Sequence, residues 1–95
     1  MMRRVTETNP LTVPPGKVFV ITGVCREKTS PSEYRIDAIF DGETVLKTSF
    51  SYNLDGANGM ICDVPPGLVA PSGTLVEVLG SKDAGGVLLG YLASN

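Results

Sequence analysis

A short motif of proline and glycine recurs along the chain and divides it into short extended segments. VPPG occupies residues 13–16 and again residues 64–67, and a looser copy, APSG, occupies residues 70–73. Proline fixes φ and donates no amide hydrogen, whereas glycine adopts positive φ readily. Each copy therefore ends one extended segment and sets the direction of the next. We expect the copies to mark crossings between sheets rather than duplicated binding loops.

The segments between these motifs alternate with the two-residue period of β-strands. Within residues 33–40, Tyr34, Ile36, Ala38 and Phe40 lie on one face, whereas the polar Arg35 and Asp37 lie on the other. Asp41-Gly42 follows at once and precedes a second alternating run, which is a strong hairpin signal. We count about seven short strands and no convincing helical period. The pattern predicts an all-β antiparallel sandwich or barrel.

The length of 95 residues allows one domain with one modest core. Residues 1–10 are polar and unpatterned, and we expect them to form a flexible N-terminal arm. Such an arm either frays in solvent or docks on a neighbouring subunit. The single β-sandwich domain is expected to span residues 11–95.

Charge and composition exclude several classes of function. Eight basic and ten acidic side chains give a net charge of −2, which offers nucleic acid or anionic lipid no strong attraction. The chain contains no histidine, the commonest general base and neutral metal ligand. We therefore predict a protein that is not an enzyme and uses no cofactor or metal. No apolar run reaches the ~20 residues of a membrane span, and no signal-peptide pattern is present, so we expect synthesis in the cytoplasm.

The cysteines and a cluster of carboxylates are the side chains with potential for chemistry. Cys25 and Cys62 lie in apolar, strand-like runs, and we expect buried free thiols in preference to a disulfide, which remains the alternative. Asp37, Asp41 and Glu43 cluster around the expected hairpin. Because the spacing of these carboxylates matches no calcium-loop pattern, we expect solvated turn residues.

The first and last long strands carry more apolar surface than one small core can bury. Residues 17–25 and 87–94 are apolar on both faces, and surplus apolar faces usually mark association surfaces. We expect a homo-oligomer, although loops covering these strands would also explain the pattern. The predicted interface residues are Val18, Val20, Leu88, Leu92 and Ile39. On the last strand, Leu89 and Tyr91 form the alternative outward set.

Two polar loops favour a second function, the binding of a carbohydrate or another small ligand. The first loop follows the strand of residues 17–25, and the second covers residues 53–59. The candidate ligand-binding residues are Arg26, Lys28, Tyr34, Asn53 and Asp55.

Three phrases, VPPGKVFVITGV, PGLVAPSGTLVEV and GVLLGYLAS, resemble the strand-entry and closing segments of small jelly-roll modules in bacterial and phage surface or particle proteins. The resemblance implies a β-sandwich of jelly-roll type, often trimeric, that serves in capsid decoration, a head fibre or a tail. It implies no catalytic residue. We therefore expect a non-enzymatic structural module on a virion or other particle surface, with other proteins of that assembly as partners.

Overall fold

The computed structural model describes residues 2–26, 34–50, 61–63, 67–80 and 85–94. These residues form two antiparallel sheets, and among them there is no helix of the length and apolarity needed to cross a membrane. The strands are β1 (Met2–Thr6), β2 (Leu11–Thr12), β3 (Lys17–Arg26), β4 (Tyr34–Phe40), β5 (Glu43–Phe50), β6 (Ile61–Asp63), β7 (Val69–Ala70), β8 (Leu75–Gly80) and β9 (Gly86–Ser94).

Sheet A has the order β1-β9-β3-β6, and β7 also pairs with β3. Because β6 pairs with one end of β3 and β7 with the other, these two short strands together form one interrupted edge. Sheet B has the order β2-β8-β4-β5. The prediction of an all-β antiparallel sandwich is confirmed, and the described residues contain nine strands in place of about seven.

Two copies of the proline and glycine motif lie where the chain crosses between sheets, as predicted. The first copy connects β2 in sheet B to β3 in sheet A, and the third connects β7 in sheet A to β8 in sheet B. They run side by side: the Val13 amide donates to the Thr74 carbonyl and the Gly73 amide donates to the Val13 carbonyl, both at 2.9 Å. The second copy falls between β6 and β7, which belong to the same sheet, and its first three residues lie outside the described residues.

The Asp-Gly hairpin between β4 and β5 is also confirmed. Asp41 and Gly42 have φ values of 51° and 83°, the two positive values of a mirror-image turn. Ala38 pairs with Leu46 and Ile39 pairs with Thr44, so one extra residue, Val45, bulges from β5.

A second bulge lies in β3, the central strand of sheet A. Ile21 pairs with Gly90 and Gly23 pairs with Leu89, which leaves Thr22 as the extra residue. Beyond the bulge the alternation shifts, and Val24 joins Phe19 and Ile21 on the inner face. The bulge therefore exchanges the faces of the residues that follow it in β3.

The predicted N-terminal arm requires a correction. Met2–Thr6 forms β1 and pairs along its length with β9. Val5 has no solvent exposure and belongs to the core. Met2 and Val5 are separated by two arginines and show no strand alternation in the sequence, although burial of Val5 anchors the strand.

The inner faces of both sheets form one core, made of Val5, Val13, Phe19, Ile21, Val24, Ile36, Ala38, Ala70, Val76, Val78 and Leu88. Within this core, β3 and β9 pack tightly at Gly90. A Cβ built on Gly90 would lie 2.3 Å from the carbonyl oxygen of Val20 and 2.8 Å from the Phe19 ring. The ring therefore packs where any other residue would place its side chain.

The expectation of free thiols is wrong for Cys25, which is fully buried and disulfide-bonded. In the register between β3 and β6 it lies opposite Cys62, the second of the chain's two cysteines. A covalent link at this position acts mainly by restricting the unfolded chain. The disulfide compensates for the small number of backbone hydrogen bonds that a three-residue edge strand can form.

We predict that Gly90→Ala lowers the free energy of unfolding by about 3 kcal/mol, because the added methyl group overpacks the Phe19 ring and the β3 backbone. Urea denaturation measures the loss. Gly23→Ala is the matched control in the same sheet, since its Cβ would lie at ordinary distances of 3.5 Å from Cys25 Sγ and 3.6 Å from Leu89 Cβ. Equal losses in the two variants would show that the contact at Gly90 has no special role.

Candidate functional site

The outward face of sheet A carries an apolar row that crosses four of its five described strands. The strand registers place Met2 beside Tyr91, Tyr91 beside Val20, and Val20 beside Val69. Met2 is 68% exposed, Tyr91 38% and Val69 45%, while Val20 between them is half-buried. Half of the large hydrophobic side chains that are exposed in the described residues therefore lie in one line.

Neighbouring positions extend this row into a patch, which we call the A-face patch. Val18 pairs with Ala93 on one side of the row, and Leu89 lies on the other side, all three being half-buried. Met2 on β1 and Val69 on β7 extend the patch by one residue at each edge, and contiguous apolar surface of this kind is often functional. Farther along the face, Cys25 and Val87 are fully buried.

Charge is confined to one edge of this face. Among the described residues that point outward from sheet A, Arg4 on β1 is the only one with a formal charge. The central strands β9 and β3 present only uncharged outward side chains in the described residues. An apolar partner surface could therefore approach their centre without burying a charge.

The five predicted interface residues do not lie together. Val18 and Val20 belong to the A-face patch. Leu88 is fully buried in the core, and Leu92 packs against it from the inner face of β9. The outward pair on that strand is the alternative one, Leu89 and Tyr91. Ile39 lies on the opposite side of the molecule, on the outward face of sheet B.

Sheet B presents a mixed outward face. Leu75 and Leu79 on β8 are 36% and 57% exposed, and Leu79 pairs with Asp37 on β4. Glu77 lies between the two leucines and pairs with Ile39. The Oδ1 atom of Asp37 is inaccessible to solvent and accepts no hydrogen bond from any residue that the structure describes. Both central strands of this sheet therefore place a carboxylate outward.

The predicted ligand loops fall largely outside the described residues. Arg26 ends β3 and Tyr34 begins β4, so the two residues flank the first loop. Lys28, Asn53 and Asp55 lie outside the described residues. The carbohydrate hypothesis therefore stays a prediction.

Asp41, one of the acidic residues of the expected hairpin, forms hydrogen bonds to the backbone of β8. Its amide donates to the Leu75 carbonyl at 2.9 Å, and the Leu75 amide donates to Asp41 Oδ1 at 2.8 Å. This pair fastens the tip of the β4–β5 hairpin to the start of β8. The described part of the chain contains no cluster of three or more potential metal ligands.

The edges of both sheets are protected against pairing with other strands. Arg3 and Arg4 lie on β1, and β5 carries both the Val45 bulge and Lys47. The remaining edges are the two-residue β2 and the interrupted pair of β6 and β7. Charges, bulges and short strands are the usual means by which proteins block edge-to-edge association. Association through a face is consequently the easier route.

The sequence did not predict Met2 or Val69 as surface residues of an interface, and it gave Tyr91 only as part of the alternative outward set on the last strand. Met2 stands in a run without alternation, and Val69 lies between two proline and glycine motifs, where no strand period can be recognised. The available signal was Tyr91, an aromatic residue in a strand whose two faces are both apolar.

Comparisons with known proteins give no counterpart on which to base a function. No family model, curated protein or solved structure matches the chain. A functional conclusion therefore depends on the surfaces described above.

We predict that Asp41→Ala lowers the free energy of unfolding by about 2 kcal/mol, because alanine loses the carboxylate acceptor and tolerates positive φ poorly. Asp41→Asn keeps both properties and should lose less than about 1 kcal/mol. Thermal and urea unfolding measure both variants. Calcium is added in parallel, and a calcium-dependent rise in Tm of the parent that Asp41→Asn abolishes would show that the carboxylate binds metal instead.

Proposed function

We propose that this chain is a non-enzymatic structural and interaction module, a homo-oligomeric jelly roll that assembles onto a larger particle such as a virion. The strand order supports the jelly-roll assignment. With β6 and β7 counted as one interrupted strand, each sheet has four strands, in the orders β1-β9-β3-β6/β7 and β2-β8-β4-β5. Eight strands in two facing sheets are typical of jelly rolls, which include capsid and lectin domains.

The observation that carries the proposal is the row of Met2, Tyr91, Val20 and Val69. Scattered exposed hydrophobic residues are normal on a monomer, whereas a contiguous row across a sheet is typical of an association surface. The protected edges direct association to the faces. The central strands of sheet A carry no outward charge in the described residues, whereas those of sheet B carry two carboxylates. Burying the outward face of sheet A in an interface therefore desolvates fewer charges.

The particle surface is proposed from the resemblance to decoration, fibre and tail modules, with a trimer as the expected form. The disulfide at Cys25 agrees with this location, because disulfides persist on virion and cell surfaces and are rare in the reducing cytoplasm. Other proteins of the particle would then be the partners.

A carbohydrate-binding sandwich is the second candidate. One observation favours it: Tyr91 is an exposed aromatic side chain on a sheet face, and jelly-roll folds include lectins. A monomer that binds members of a glycan array, and loses that binding in Tyr91→Ala, would favour this function over assembly.

We predict that Val69→Lys raises the dissociation constant of the oligomer at least ~100-fold, about 3 kcal/mol, because it places a charge in the A-face patch. Leu79→Lys is the matched control, with the same new charge at a comparably exposed leucine on sheet B. Sedimentation equilibrium over a range of concentrations measures the mass of each protein.

A parent chain that sediments as a monomer at all concentrations would refute self-association. An oligomer that Leu79→Lys dissociates, while Val69→Lys does not, would move the interface to sheet B.

A further inference from the structure

We infer that the disulfide at Cys25 is a redox-operated clasp on the edge of sheet A. When the disulfide is reduced, β6 leaves β3 while the rest of the sandwich stays folded, and when the disulfide forms again the edge closes. Three features give this behaviour: the Thr22 bulge, the register at Cys25 and the small number of other bonds between β6 and β3.

The peptide groups of β3 point alternately toward its two neighbours, and one hydrogen bond shows which residues point to which side. The Ile21 amide donates to the Leu68 carbonyl at 3.0 Å, so the peptide groups of Ile21 point away from β9. In one strand, residues whose side chains share a face also direct their peptide groups to the same side. Because Ile21 and Val24 both face the core, the peptide groups of Val24 point toward β6.

The bulge places Cys25 at a position suited to a cross-strand disulfide. Its sulfur lies 3.5 Å from the site of a Cβ built on Gly23, on the outward face, so its peptide groups point toward β9. Cys25 and Cys62 therefore oppose each other without backbone hydrogen bonds between them. The Cα atoms of such a pair lie about 4.5 Å apart, within the range that a disulfide spans. The covalent link thus stands at the middle of β6.

Apart from the disulfide, few bonds hold β6 in the sheet. Val24 pairs with Asp63 and Arg26 pairs with Ile61, and two hydrogen bonds in each pair give at most four. The entropy lost by fixing three residues in an extended strand is comparable to the net gain from these bonds. Among the described strands, β3 alone pairs with β6. Without the covalent link, the paired and released forms of β6 are therefore close in free energy.

The neighbouring parts of sheet A have anchors of their own. Ala70 on β7 is fully buried in the core, and Leu68 packs against that core. On the other side, β9 pairs with β3 from Lys17 to Arg26, and the Phe19 ring packs against Gly90. Release of β6 therefore uncovers residues 24–26 at the edge of β3 and leaves the other pairings in place.

Both directions of the switch are thiol–disulfide exchange. A dithiol attacks one sulfur to give a mixed disulfide, and its second thiol then displaces the protein, so the dithiol becomes a disulfide and two protein thiols form. In the reverse direction, the two protein thiols pass two electrons to oxidised glutathione, which leaves as two glutathione thiols. Cys25 is fully buried, so the dithiol reaches the sulfur when the edge opens locally.

A particle protein would meet both states of the clasp. Thiols are kept reduced in the cytoplasm, whereas disulfides persist on virion and cell surfaces. On a particle of the proposed kind, β6 is released inside the cell and fixed outside it. This use of the clasp rests on the proposed function, whereas the opening and closing of β6 do not.

The experiment is amide hydrogen exchange, followed residue by residue by NMR, on the oxidised chain and after reduction with dithiothreitol. The amides of Val24 and Arg26 should exchange at least ~10-fold faster in the reduced chain, because their acceptors on β6 are released. The amide of Cys25, which points toward β9, and the amide of Ile21, which donates to Leu68, should change less than about twofold. Addition of oxidised glutathione should restore slow exchange.

Cys62→Ala is the matched control, since it removes the disulfide and leaves the buried Cys25 in place. Its Val24 and Arg26 amides should exchange rapidly both with and without dithiothreitol. Circular dichroism matching that of the oxidised parent establishes that the variant is folded.

Four outcomes would overturn the clasp. Equal acceleration of all four amides would show that the disulfide stabilises the whole sandwich. Unchanged exchange at Val24 and Arg26 after complete reduction, verified by thiol titration, would show that β6 stays paired without the link. A response of Cys62→Ala to dithiothreitol would assign the effect to the reductant, and a disulfide that resists dithiothreitol in the folded chain would show that the clasp does not open.

These measurements do not depend on self-association. The clasp can therefore fail while the sedimentation results still support the proposed function. A chain that sediments as a monomer would in turn refute the proposed self-association and leave the exchange results unaffected.

Discussion

The packing of the Phe19 ring against Gly90 is the constraint on which the rest of sheet A depends. The ring occupies the space of a missing side chain, so β3 and β9 can pair in one register only. A shift by two residues would place Leu88 or Leu92 beneath the ring, and a shift by one would turn the apolar inner set outward. The same register sets Tyr91 beside Val20, because Tyr91 follows Gly90 directly. A core contact thus determines which side chains line up on the surface.

Features that depend on local chemistry were predictable from the sequence. The Asp41-Gly42 turn follows from two residues that tolerate positive φ, and the motifs at residues 13–16 and 70–73 lie at sheet crossings because proline and glycine end strands whatever surrounds them. Features that depend on residues far away in the sequence were not predictable. The bulges at Thr22 and Val45 are defined by pairing with the neighbouring strands, and no sequence pattern within β3 or β5 indicates an extra residue.

The candidate surface was predictable in kind but not in detail. Two apolar faces on β9 indicated an association surface, yet only the contact with Phe19 decides that Leu88 faces the core and Tyr91 faces outward. Met2 had no periodic context at all, since β1 is held by Val5 and by its pairing with a strand more than 80 residues away. Whether Cys25 is a free thiol or part of a disulfide likewise depends on which residue lies opposite it in the sheet, and sequence spacing does not reveal that residue.

The position of β9 between β1 and β3 has a consequence for how the molecule is made. Of the described strands it is the last to leave the ribosome, yet it supplies the centre of sheet A. Until it emerges, β1 has no neighbour in its sheet and the inner face of β3 is incomplete. Sheet A can therefore close only once β9 has been made and inserted between β1 and β3. Long-range pairing of this kind folds slowly and leaves apolar strands exposed meanwhile.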